Sequence, residues 1–139
     1  MRRIYSLGGH EDVVFSVEFS SDGKTAITAS ADRTARVWNI GPEGGSSART
    51  LAGHGQNVTS ASFTAAGAMV TGSGDKTVRT WDSGGSNTHT LSGAKDWVYS
   101  VRYSKDGKLV AAGAWDGTVL LWNVADAKLL SQWTTGPQK

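Results

Sequence analysis

An all-β fold of three repeated four-stranded antiparallel units is predicted for this chain by three observations. Ala35-Arg36-Val37-Trp38-Asn39, Val78-Arg79-Thr80-Trp81-Asp82 and Leu120-Leu121-Trp122-Asn123 end alike, with their tryptophans 43 and 41 residues apart. Each Trp run is preceded by the same alternation of apolar runs and tight turns. No segment carries a sustained helical period, and Pro is scarce while Gly is abundant (2 against 18). A period of about 40–45 residues ending in a Trp-Asp-like pair marks one four-stranded unit of a radial array.

Each unit opens on an apolar strand, a: Val13–Phe19, Val58–Phe63 and Trp97–Tyr103. A turn follows at Asp22-Gly23, Ala66-Gly67 and Asp106-Gly107, where Gly admits the positive φ of a hairpin. Strand b is rich in small residues: Ala26–Ser30, Met69–Ser73 and Leu109–Gly113. A second turn at Asp32-Arg33, Asp75-Lys76 and Asp116-Gly117 leads into the Trp strand, c. A fourth strand, d, is read at Arg49–Leu51, His89–Leu91 and Leu129–Trp133, with Trp133 in the Leu position. Residues 41–47 and 83–87 read as Gly/Ser-rich loops between c and d. The blades so delimited span about 9–51, 53–91 and 93–133, in a single domain. Residues 2–7 read as an extra d-type strand; either they complete the third blade of a neighbouring copy, the favoured reading, or residues 128–133 complete it within the chain and the N-terminus is displaced. Runs such as Val119–Trp122 are apolar on both faces, which fits sheets stacked between sheets.

Composition narrows the function classes. The 14 Lys and Arg are scattered among 12 Asp and Glu, so no basic patch marks a nucleic-acid or membrane surface. There is no Cys, which excludes disulfides and thiolate metal sites. Met1–Gly9 has no apolar core of a signal peptide, and no run is long enough to span a bilayer, so a cytoplasmic location is expected.

These residues resemble the WD40 repeat family over essentially the whole chain. Gly9-His10 and Gly53-His54 are similar to its Gly-His dipeptide, and Asp32, Asp75 and Asp116 to its turn aspartate. The resemblance implies β-propeller blades and a buried tetrad of Trp, Ser/Thr, His and Asp. By position the tetrads are Trp38, Thr28, His10 and Asp32, then Trp81, Thr71, His54 and Asp75. An indole N–H, a hydroxyl, an imidazole and a carboxylate can form one continuous donor–acceptor chain. The third unit departs: Ala94 replaces His and Ala112 replaces Thr, leaving Asp116 and Trp122 without these partners. Its stability is expected to come from apolar packing around Leu109, Val119 and Leu121, with Asp116 bonded to its own turn.

The tetrad residues also offer a hydroxyl, a base and a carboxylate, as a hydrolase does. A catalytic set needs an accessible nucleophile and an oxyanion hole, and it would not be duplicated behind an indole. Gly72–Thr77 lacks the contiguous Gly-Lys-Thr of a phosphate loop, and the three His form no metal-ligand spacing, so no cofactor and no metal are expected. Candidate partner-binding residues are Trp97 and Trp115, placed on one face by the d–a and b–c connections, with Phe15 and Tyr99 facing a central channel.

The resulting expectation is a non-catalytic scaffold for protein–protein interaction. Three blades are too few to close a ring, so copies are expected to join head to tail, two giving six blades or three giving nine. The alternatives are a propeller piece whose only activity is assembly and, from another class, the hydrolase.

Overall fold

A computed structural model describes residues 8–42 and 44–134. Twelve strands form three four-stranded antiparallel sheets. The first contains β1 (Val14–Phe19), β2 (Thr25–Ser30), β3 (Ala35–Gly41) and β4 (Gly44–Leu51). The second contains β5 (Val58–Phe63), β6 (Met69–Ser73), β7 (Val78–Trp81) and β8 (Asn87–Leu91). The third contains β9 (Val98–Tyr103), β10 (Leu109–Ala114), β11 (Thr118–Asn123) and β12 (Lys128–Thr134). Strand order follows chain order in each. None of the described residues is helical, so no helix is long and apolar enough to cross a membrane.

The core lies between sheets, because strand periodicity gives each sheet two apolar faces. Ile27, Ala29, Val37 and Leu51 of the first sheet pack on Val58, Ala61, Met69 and Trp81 of the second. Val70, Val78 and Leu91, on the opposite face of the second, pack on Val98, Val101, Val110, Leu120 and Trp122 of the third. Contact is close enough that a Cβ on Gly72 would lie 2.7 Å from Val98 Cγ1 and 2.8 Å from Val101 Cγ1.

Three expectations need correction. Residues 41–47 are mostly strand, not loop: β3 and β4 form a long hairpin with Gly41 opposite Gly44 and Trp38 opposite Ser47. The interior of the third sheet is not built on Leu109, Val119 and Leu121. Val110, Ala112, Leu120 and Trp122 are the buried set, since they alternate onto the face that meets the second sheet. The third sheet also draws its fourth strand from its own chain, with β12 paired to β11, so that place is not left for a neighbour's residues 2–7. Residues 2–7 themselves lie outside the described residues.

Each sheet repeats two irregularities. Phe15, Thr59 and Tyr99 are extra residues bulged from the first strand. Ala48, Thr88 and Leu130 are extra residues bulged from the fourth, opposite the Trp strand. A bulge re-aims a side chain and sharpens the local twist.

Candidate functional site

The loops entering β1 and β5 carry His10 and His54 back over the b–c turns. His10 Nδ1–H donates to Asp32 Oδ2 at 2.8 Å, and its Nε2 accepts from the Thr28 hydroxyl at 2.6 Å. Trp38 Nε1–H donates to Thr28 Oγ1 at 2.9 Å. The second sheet repeats this: His54 to Asp75 at 2.9 Å, His54 to Thr71 at 2.7 Å, Trp81 to Thr71 at 2.9 Å. The tautomer follows from the partners, since an ionised carboxylate can only accept. The proton order therefore runs one way, from indole to hydroxyl to imidazole to carboxylate.

The aspartates are anchored further by their turns. Asp75 accepts the Thr77 hydroxyl at 2.6 Å, the Thr77 N–H at 2.9 Å and the Gly55 N–H at 3.0 Å. Asp32 accepts the Thr34 hydroxyl and N–H and the Glu11 N–H in the same way. Burial opposes ionisation of Asp75, but the bonds from Thr77, His54 and Gly55 outweigh it and hold the carboxyl down to about 2. The same balance holds Asp32 well below the usual carboxylate range. Burial pushes the His54 imidazole down, against the raising effect of Asp75. The Asp-x-Thr spacing of Asp32-Arg33-Thr34, Asp75-Lys76-Thr77 and Asp116-Gly117-Thr118 is visible in the sequence and would have revealed the two threonines.

The third sheet has a different interior. Ala94 and Ala112 leave an apolar space, and Leu120 stands where Arg36 and Arg79 stand in the other two. A Cβ on Gly53 would meet the Arg79 guanidinium at 2.7 Å; on Gly93 it would meet Leu129 Cδ2 at 3.0 Å. Trp122 is not left unpaired: its Nε1–H donates to the Ser92 carbonyl at 2.9 Å. Asp116 accepts the Thr118 N–H at 3.0 Å within its own turn. No sequence signal marks a backbone carbonyl as the indole's partner.

Two tetrads and one apolar variant on a three-fold repeat agree with the comparisons. The profile described as "WD domain, G-beta repeat" matches residues 1–39, 45–82 and 85–123. The chain belongs to the WD40 repeat family. It is 35% identical over 127 residues to THO complex subunit 3 of Arabidopsis thaliana, covering 88% of this chain and 40% of that protein. It is 35% identical to protein tipD of Dictyostelium discoideum, covering 84% and 19% of the two chains. With WD repeat-containing protein 37 of Homo sapiens it shares 32%, covering 88% and 25%. The chain thus spans two fifths or less of these WD40 relatives.

The four candidate binding residues of this WD40 chain line one open cavity of about 880 Å³, walled by β1, β5 and β9. Phe15 and Tyr99 reach it because they are the bulged residues. Trp115 packs edge-on to Tyr99, ring centroids 5.5 Å apart, while the Trp97 ring lies over Gly74 of the second blade. Trp97 and Trp115 are joined through the backbone, Trp115 N–H to Trp97 O at 2.8 Å. The two indoles therefore do not stack on each other; each covers a different neighbour. Glu18 and Arg102 sit on the same wall, their nearest polar atoms 3.6 Å apart. Outside the cavity, burial pushes the Tyr103 phenol up to about 12, and its hydroxyl donates to the Met69 carbonyl. Among the described residues, no group of three or more His, Asp or Glu is placed to hold a metal ion.

Proposed function

We propose that this chain is a non-catalytic protein-interaction scaffold whose copies pack blade to blade, head to tail, into a ring of six or nine blades. One observation carries the reading. Among the described residues, the end blades each leave an apolar face without a neighbouring blade, and the matching faces are largely buried wherever one is present. Val14, Val17 and Phe19 are 47%, 65% and 63% exposed on blade 1. The register counterparts of Val14 and Val17, namely Val58 and Ala61, and Val98 and Val101, are at most 2% exposed, while those of Phe19, Phe63 and Tyr103, are half-buried. On blade 3, half-buried Val119 and Leu121 and exposed Trp133 lie on the opposite face. Apolar surface of this kind is covered in stable repeat proteins.

The greater length of the relatives favours a second reading, in which further blades of a longer polypeptide cover both faces. Solution mass separates the two. Two or three times the 14.6 kDa chain supports self-assembly, and a folded monomer at every concentration overturns it. A cytoplasmic location goes with either reading.

The aromatic cavity is the partner-binding face in this proposal, suited to another protein or a peptide rather than to nucleic acid or membrane. Against an enzyme stands the position of the tetrad hydroxyls. Thr71 is fully buried beneath the Trp81 indole, which donates to it, and a nucleophile needs access. Trp115→Ala, an exposed change, is expected to leave the mass unaltered and weaken capture of a partner at least tenfold. Undiminished capture would remove the cavity from the reading.

A further inference from the structure

The interfaces inside the chain follow a size rule. On β2, Ala29 is buried in one cluster with Val58 and Ala61 of the next blade. On β6, Gly72 holds the same place, each lying opposite the Ser of its first strand, and faces Val98 and Val101. Alanine thus shares its cluster with one valine and one alanine, Val58 and Ala61, whereas glycine faces two valines, Val98 and Val101. Gly113 holds this place on β10, opposite Ser100, and a Cβ there would meet nothing within 4 Å. The residue in the register of Ala61 and Val101 that lacks a facing strand is Val17. A valine without a glycine seat and a glycine seat without a valine are both present on one chain.

Glu18 ties blade 1 to the blade that follows. Glu18 Oε1 accepts the Ser62 hydroxyl at 2.8 Å and the Phe63 N–H at 3.2 Å, both on the next blade. Glu18, Ser62 and Arg102 occupy one position on β1, β5 and β9. Glu18 Oε2 lies 3.6 Å from Arg102 of its own chain, so its charge is already answered within one copy and does not mark a contact between copies.

We propose that the open faces of blades 3 and 1 are the two halves of one interface between copies of this chain. Gly113 seats Val17 of the second copy. The occupant is a second copy because the glycine seat and the valine that fits it stand on the same chain, and because the interface continues the geometry of the two internal ones. This inference rests on the head-to-tail reading above.

Sedimentation equilibrium on the full chain tests it. Gly113→Val places a β-branched residue in open space on an ordinary strand, so folding by circular dichroism should be retained while association weakens at least tenfold. Gly113→Ala should weaken association, and adding Val17→Ala, which recreates the Ala29–Ala61 match, should restore it. An oligomeric wild type whose Gly113→Val variant associates as tightly overturns this interface but leaves assembly standing. A wild type that stays monomeric overturns both.

Discussion

Blades 2 and 3 share strand order, bulges and turns, yet their interiors are opposite in character. Blade 2 buries a hydroxyl, an imidazole, an indole N–H and a carboxylate in one chain, and each finds a partner. Blade 3 replaces the two middle groups with Ala94 and Ala112, the arginine with Leu120, and turns the indole to a backbone carbonyl. Losing one member of a buried network costs the desolvation of what remains. Removing several members and filling the space with apolar groups is close to neutral. The same backbone can therefore be held by a complete polar chain or by none, and the intermediate is the expensive state.

That comparison can be broken first at Thr71. Thr71→Val leaves the Trp81 N–H and His54 Nε2 buried and unpartnered, for a loss of roughly 3 kcal/mol in urea unfolding. In blade 3, Ala112→Thr should cost about 1–3 kcal/mol by burying a hydroxyl without its histidine. Adding Ala94→His supplies the missing link to Asp116 and should recover at least half. No recovery would show that the blade 3 backbone has diverged too far to house the network.

Packing gives the next contrast. Gly72→Ala should cost about 1–3 kcal/mol, because its Cβ meets two valines, whereas the same change at Gly113 in a monomeric sample should stay within about 0.5 kcal/mol.

Acid should then separate the blades. The Asp75 carboxyl titrates lower folded than unfolded, so its contribution is full above about pH 4 and is lost as pH falls toward about 2. His54 also titrates lower when folded, so the unfolded chain takes up its proton first. Stability begins to fall below the ordinary imidazole value of about 6.5. Hydrogen exchange should show β6 and β7 losing protection on acidification before β10 and β11. Simultaneous loss would mean that the sheets open only together.

The smallest effect is expected at the b–c turns. Lys76 adopts φ 71° where blade 3 has Gly117 at φ 88°. Lys76→Gly should raise stability by up to about 1 kcal/mol, read from the unfolding midpoint.

Much of this was legible before any coordinates. The Trp spacing, the Gly-His pairs and the turn aspartates identify the blades, because each answers a local demand that recurs with the repeat. Sequence alone did not show which face of blade 3 would be buried. Leu109 and Val110 are equally apolar, and only the neighbour decides between them. Nor did it show Ser92 as the partner of Trp122, since every residue offers a carbonyl. The role of residues 41–47 was hidden for a related reason: glycine and serine permit a loop, but the pairing with β3 makes them strand.

The bulges have a consequence of another kind. Every sheet here has two outer strands, and both carry an extra residue, at Phe15 and Ala48, Thr59 and Thr88, Tyr99 and Leu130. An edge that is regular and flat is a template for unlimited strand addition and amyloid, while a bulged edge interrupts the ladder. Accretion along the hydrogen-bonding direction is thus discouraged at all six edges. If copies assemble as proposed, stacking face on face is the route of growth left to them, and such a route can come to an end.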